Sequence, residues 1–184
     1  MSDYTGGIRI NLTEEDIKEA IEWGRKNKDS DIILHSYSFG DHLYMEWEDG
    51  GIIQTKTFAL ASLSVALARQ GKSPSKAEID EIINSDTLAI EFTARGEKTD
   101  FIKGSKAYLK QGEKTIRPVK TEIDKEIKCV PNVSILGEEI VTIYEGCLVA
   151  SFLYSEIDLK SKTTIALVKK YGSYEFVEDF SWYK

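Results

Sequence analysis

Apolar residues recur at helical spacing in three stretches of the first half of the chain and at a spacing of two through most of the second. The first stretch opens at Leu12-Thr13-Glu14-Glu15-Asp16-Ile17. Thr13 is placed to cap a helix, three acids complement the positive end of its dipole, and Leu12 and Ile17 sit where a hydrophobic staple belongs. Ile17, Ala20, Ile21 and Gly24 then share one face, and the helix is expected to end in the polar run from Arg25 to Lys28. Residues 32–57 read as extended: Ile32 to Leu34, Leu43 to Trp47 and Ile52 to Lys56, separated by turns at Gly40-Asp41 and Asp49-Gly50-Gly51. Thr57 is expected to cap a second helix, Phe58 to Gln70, ended by Gly71. Its stripe is Leu60, Leu63 and Leu67. The other side, with Ala59, Ser62, Ser64 and Ala66, is small and uncharged, so this helix is expected to be buried on most sides. Ser73-Pro74 predicts a third helix start, serine as cap and proline in the first position, with Ile79, Ile82 and Ile83 inward.

After Asp86 the period changes. Leu88, Ile90 and Phe92 alternate with Ala89, Glu91 and Thr93, the pattern of a half-buried strand. Ala107 to Gln111 and Thr115 to Thr121 predict a hairpin about Gly112, and Ile140 to Tyr144, Cys147 to Tyr154, Thr163 to Lys169 and Tyr174 to Phe180 complete the set. Cys147 to Tyr154 is apolar on both faces and should be central. Lys170-Tyr171-Gly172-Ser173 predicts a tight turn, and Tyr174, Phe176 and Phe180 are expected to share a face. The expectation is an α+β fold, N-terminal helices packed on a mainly antiparallel, β-sandwich-like sheet in the second half. It is read as a single domain over residues 1–184, with 1–86 helix-rich with short strands and 87–184 all-β.

Charge narrows the partners. The formal net charge is −7, which argues against nucleic acid, whose phosphates call for an excess of Lys and Arg. Residues 1–57 carry twelve acids and six bases, whereas residues 97–128 carry nine bases and six acids. Lys103, Lys106, Lys110, Lys114, Arg117 and Lys120 in that basic stretch read as a solvated sheet face in preference to an anion-binding stripe. No apolar run approaches the ~18–20 residues of a membrane span. Met1 to Gly7 offer neither a basic n-region nor an apolar h-region, so a cytoplasmic protein, or a mature fragment with its leader replaced, is expected. No motif calls for a cofactor, and the partner is expected to be an unidentified protein or small molecule.

Candidate chemistry is sparse. Gly71-Lys72-Ser73 matches the end of a phosphate-binding loop, but it falls at a helix C-terminus, where carbonyls face outward, and Pro74 removes a donor. His35 and His42 flank a turn, and His42, Tyr44 and Glu46 alternate onto one strand face. His35, His42 and Glu46 are thus the candidate metal ligands, for a metal-binding protein or metal-dependent hydrolase, although exposed or hydrogen-bonded strand histidines are the plainer reading. There is no Gly-x-Ser-x-Gly elbow, and no catalytic residue is assigned. Cys129 and Cys147 form no Cys-x-x-Cys, and the apolar strand around Cys147 should raise its pKa and make it inert. The two are a possible disulfide in an oxidising compartment. Tyr37, Phe39, Tyr44 and Trp47, with Trp182-Tyr183 at the C-terminus, are core aromatics in the plainer reading. In the other reading Tyr37, Tyr44 and Trp47 bind a partner.

Four stretches resemble a group of uncharacterised bacterial proteins that often carry an export or lipoprotein signal. They are Leu12 to Lys26, Thr55-Lys56-Thr57-Phe58, Ala107 to Gly112 with Ile116-Arg117-Pro118-Val119, and Tyr154-Ser155-Glu156-Ile157-Asp158. The resemblance implies a periplasmic or envelope-associated protein, and with that location a disulfide between Cys129 and Cys147 becomes more reasonable. The functional expectation is a non-enzymatic binding or interaction module of the bacterial envelope.

Overall fold

The computed structural model describes residues 8–29, 37–40, 50–124, 127–130 and 142–183. Helix α1 spans Glu14–Lys26 and starts as expected: Thr13 Oγ1 accepts from the Asp16 amide at 3.1 Å, and the Asp16 carboxylate accepts from the Thr13 amide at 2.9 Å. Helix α2 spans Lys56–Arg69, and its cap is Thr55, not Thr57: Thr55 Oγ1 accepts from the Phe58 amide at 3.1 Å. Helix α3, Lys76–Ile83, is capped by Ser75, not Ser73, because Ser75 closes a capping box with Glu78. Both corrections have one cause. Each segment offers two hydroxyl residues, and the helix starts at the one that completes the local hydrogen bonds.

Among the described residues, ten strands build two antiparallel sheets. In the first, β1 (Ser38–Gly40), β2 (Gly50–Gln54), β3 (Thr87–Gly96), β8 (Ile143–Leu153) and β6 (Lys120–Ile123) lie in that order, and β7 (Lys128–Val130) also pairs with β8. The second runs β10 (Gly172–Asp179), β9 (Lys162–Lys169), β4 (Lys106–Gln111), β5 (Lys114–Ile116). The strand expected over Thr115 to Thr121 is divided. Its first part pairs with β4, and its second, β6, crosses to β8 in the other sheet. Pro118, which has no N–H to donate to a ladder, stands at the crossing. The expected break between Ile140–Tyr144 and Cys147–Tyr154 is absent, because β8 runs through Glu145-Gly146 as the central partner of β3. Expected strands over residues 32–34 and 43–47 lie outside the described residues.

The sheets face each other. Leu88, Ile90, Phe92 and Ala94 of β3 and Leu148, Ala150 and Phe152 of β8 meet Ala107 and Leu109 of β4 and Ile165 and Leu167 of β9 in one buried cluster. Phe39 joins the layers, its ring 5.7 Å from Phe92 in its own sheet and 5.2 Å from Phe176 in the other. Among the described residues this is the sandwich expected from the second half, extended by β1 and β2 from the first.

The helices form a smaller layer on the outer side of that sheet, where Phe58 and Ala61 of α2 pack with Trp23, Tyr37 and Ile52. A Cβ on Gly24 would stand 2.3 Å from the Ala61 carbonyl oxygen, so α1 and α2 touch backbone to backbone there. Ser64 Oγ donates to the Ile21 carbonyl across the same contact at 2.7 Å. Of the small side read from the sequence, Ser64 takes part in this contact, whereas Ala66 is exposed and Ala61, outside that set, supplies the closest approach.

Candidate functional site: a cationic and aromatic cleft

A cleft of ≈ 460 Å³ lies at the end of the sandwich where β3 ends, β8 begins and the β9–β10 turn closes. Its making starts with glycine. A Cβ on Gly96 would come within 2.5 Å of Phe101, and one on Gly146 would lie 3.3 Å from Phe101 and Ile102. These two positions let the loop after β3 fold Phe101 and Ile102 into the end of the core, where they are 1% and 2% exposed. Successive turns, Phe101 N–H to Lys98 C=O and Lys103 N–H to Asp100 C=O, both at 3.1 Å, hold the loop in that shape.

Phe101 forms the inner wall, and β9 supplies the central cation. Lys169 is 7% exposed. Its ammonium donates to the Arg95 carbonyl at 2.6 Å and lies 4.2 Å from the centre of the Tyr174 ring and 5.7 Å from that of Phe101. A buried ammonium is tolerable because a carbonyl and two ring faces replace part of its water. Arg95 forks onto Glu145, Nε at 3.0 Å and one terminal nitrogen at 2.8 Å. At the rim, Tyr171 is braced between Lys98 and Lys170, whose ammonium groups stand 5.2 and 5.1 Å from its ring centre. Lys170 also pairs with Asp100; that hydrogen bond raises the lysine pKa and lowers the carboxyl's.

Three bases, Arg95, Lys98 and Lys169, line the cleft with one acid, Glu97, beside Phe101, Ile143, Tyr171 and Tyr174. This arrangement suits a ligand with an anionic group and a flat apolar body: the cations attract the charge and the rings offer stacking area.

The residues singled out from the sequence fall elsewhere. His35, His42, Glu46, Tyr44 and Trp47 lie outside the described residues, and among the described ones no three His, Cys, Asp or Glu gather as a metal would need. Tyr37 is half-buried and packs edge-on against Phe58 at 5.0 Å, and Phe39 and Tyr183 are buried, whereas Trp182 is 79% exposed. Cys129 and Cys147 are both free thiols. Cys129 pairs with Tyr144, three residues from Cys147 on the same continuous strand, so the pleat turns the two thiols to opposite faces. Gly71-Lys72-Ser73 follows α2, where the Lys72 amide donates back to the Leu67 carbonyl at 2.9 Å, as befits a helix end.

The cleft residues were not singled out by sequence reasoning. One local signal was available: Lys169-Lys170-Tyr171-Gly172-Ser173-Tyr174 interleaves cations and tyrosines in a tight turn. Arg95, Lys98 and Phe101 come from far along the chain, and only the sheet pairing gathers them.

Comparison with known proteins finds no matching family model, curated relative or solved structure.

Proposed function

We propose that the protein is a binding module of the bacterial envelope, not an enzyme, and that its cleft takes a small ligand with an anionic group on an aromatic or other flat apolar body. The observation that carries the ligand class is the convergence of Lys98 and Lys169 on a wall of Phe101, Tyr171 and Tyr174, with Arg95 beside them already paired to Glu145. The envelope location rests on the resemblance of Leu12 to Lys26 and the three later stretches, and fractionation of cells expressing the native gene tests it.

The ligand class is tested by thermal unfolding with a panel of aromatic carboxylates, each beside its neutral amide. A ligand at a hundred times its Kd adds ~2.7 kcal/mol of stability, a rise of several degrees in a domain of this size. Carboxylates are expected to raise the Tm where their amides do not, and Lys98→Ala or Tyr171→Ala to remove the rise. Both side chains stand on the rim, with Tyr171 53% exposed, so neither change should disturb the fold. Equal effects of acids and amides, or none from either, would sink the ligand class.

A further inference from the structure

A long open sheet edge is a liability, because its unpaired amides and carbonyls are a template for another strand. Most edges of this molecule are blunted. β1, β5 and β7 are three residues long, β5 is soon followed by Pro118, and β6 is a four-residue strand that begins with Lys120. β10 is different. Its eight residues pair with β9 throughout without a bulge, and among the described residues no strand lies on its other side.

Gly172 to Glu175 and Val177 are exposed, and the strand holds neither proline nor lysine to deter a partner. Its acids are turned to neighbours in their own chain. Glu175 accepts from Lys110 at 2.8 Å, Glu178 from the Tyr183 hydroxyl at 2.6 Å, and Asp179 from the Ser181 hydroxyl at 2.6 Å. Large apolar side chains gather at the same edge: Tyr171, Tyr174 and Val177 are 53%, 36% and 68% exposed.

The even spacing of these three makes the edge complementary to itself. When a second copy lies against it antiparallel, with Tyr174 opposite the partner's Tyr174, Tyr171 falls opposite the partner's Val177 on both sides of the two-fold axis. The same register sets Gly172 against the partner's Phe176, Ser173 against the partner's Glu175 and Lys170 against the partner's Glu178. No acid meets an acid, whereas a register centred on Glu175 would oppose that carboxylate to itself. The bond from Glu178 to a neutral phenol leaves its charge uncompensated, and the three donors of Lys170 let it keep Asp100 and take this second carboxylate.

We infer that β10 is the interface of a homodimer, in which the second sheets of two copies join into one continuous sheet, four strands from each. Backbone hydrogen bonds along the edge supply the attraction, and the opposed Tyr171, Tyr174 and Val177 side chains with the Lys170–Glu178 pairs fix the register. Tyr171 and Tyr174 also line the cleft, so the variant that tests the dimer is made at Val177, which does not.

The test is sedimentation velocity of the full chain at about 0.15 M salt, where repulsion between two bodies of charge −7 is screened beyond ~8 Å. From about 1 µM to about 500 µM the mean mass should climb from one chain toward two. Val177→Lys sets a cation beside the partner's Lys170 and should weaken association about tenfold or more, with the Tm of the dilute protein unchanged. Val119→Lys, at a site 58% exposed and away from β10, should leave association as it was. Cross-linking in a Cys129→Ser background reads the register. Opposite residues of an antiparallel pair have Cα atoms ~4.5–5.5 Å apart, within reach of a disulfide. Tyr174→Cys should therefore oxidise to a covalent dimer, and Val177→Cys, which faces the partner's Tyr171, should not. A monomer at every concentration, leaving the edge to a strand of some other protein, overturns the inference. So does a dimer that Val177→Lys leaves intact, or one that Val177→Cys cross-links as readily as Tyr174→Cys.

Discussion

Lys56 opens α2 with its ammonium inside the protein, 5% exposed, donating to the Ile83 carbonyl at 2.5 Å and lying 5.5 Å from the centre of the Tyr154 ring. Burial lowers its pKa, and attraction to Asp86 offsets only part of that. The unfolded chain therefore holds this proton more tightly than the folded one. Between the lowered folded pKa and the ordinary value of 10.5, the Lys56 contribution to stability rises with pH. The unfolding free energy of the native protein minus that of Lys56→Met is expected to grow in the native protein's favour from about pH 7 to about pH 10. Denaturant titrations at both ends measure it, and a flat difference would refute it. Cys147 gives a second prediction. Burial, then the neighbouring Glu91, pushes its thiol up to about 12, so at pH 8 roughly one part in 10⁴ is thiolate. Iodoacetamide should modify exposed Cys129 in the folded protein and reach Cys147 only in denaturant, giving one adduct and then two by mass. The upward shift of the Cys147 thiol was legible in the apolar strand around it. The contribution of Glu91 was not, since it arrives through pairing across more than fifty residues of chain.

At the scale of elements, the sequence was most informative where the cause is local. Thr13 with Asp16 forms the box that its spacing announces. Where two hydroxyl residues compete, as at Thr55 and Thr57 or Ser73 and Ser75, side-chain and backbone bonds decide between them, and pattern alone does not order them. Gly24 shows the opposite limit. In an exposed helix Gly→Ala adds up to ~1 kcal/mol of stability. Here the new methyl would meet the Ala61 carbonyl oxygen at 2.3 Å and Ser64 Cβ at 2.8 Å. Gly24→Ala is therefore expected to destabilise by ~1–3 kcal/mol, the usual cost of overpacking, read as a lowered urea midpoint. A raised midpoint would mean that α1 does not sit on α2 in this way. Gly146 is a milder case: it falls in the break that the pattern puts between Ile140–Tyr144 and Cys147–Tyr154, and a Cβ there would lie 3.3 Å from the side chains of Phe101 and Ile102, packed against it from a distant loop.

At the scale of the whole molecule, the alternation after Asp86 was enough to predict a sandwich, but not that the first half would complete it. β1 and β2 extend the β3 edge, and Phe39 and Ile53 enter the same buried cluster as β4, β8 and β9. Tyr37 then ties the layers together. It packs against this cluster and against the Phe58–Ala61 cluster of the helices, with its ring 6.5 Å from that of Tyr183 near the C-terminus. A chain joined in this way should unfold as one unit, because loss of either layer exposes the apolar face of the other. Phe39→Ala tests this from the centre. It removes a ring that is 2% exposed and touches both sheets, and is expected to cost ~3–5 kcal/mol. The loss should appear equally in far-UV circular dichroism, which follows all the strands and helices, and in the fluorescence of Trp23, isolated by replacing Trp47 and Trp182 with Phe. Trp23 lies in the helix layer and not in the sandwich, so coincident shifts mean that the layers share one transition. If Trp23 kept its midpoint while the circular dichroism fell, the helices would be a separately stable layer. The cleft would then depend on the sandwich alone.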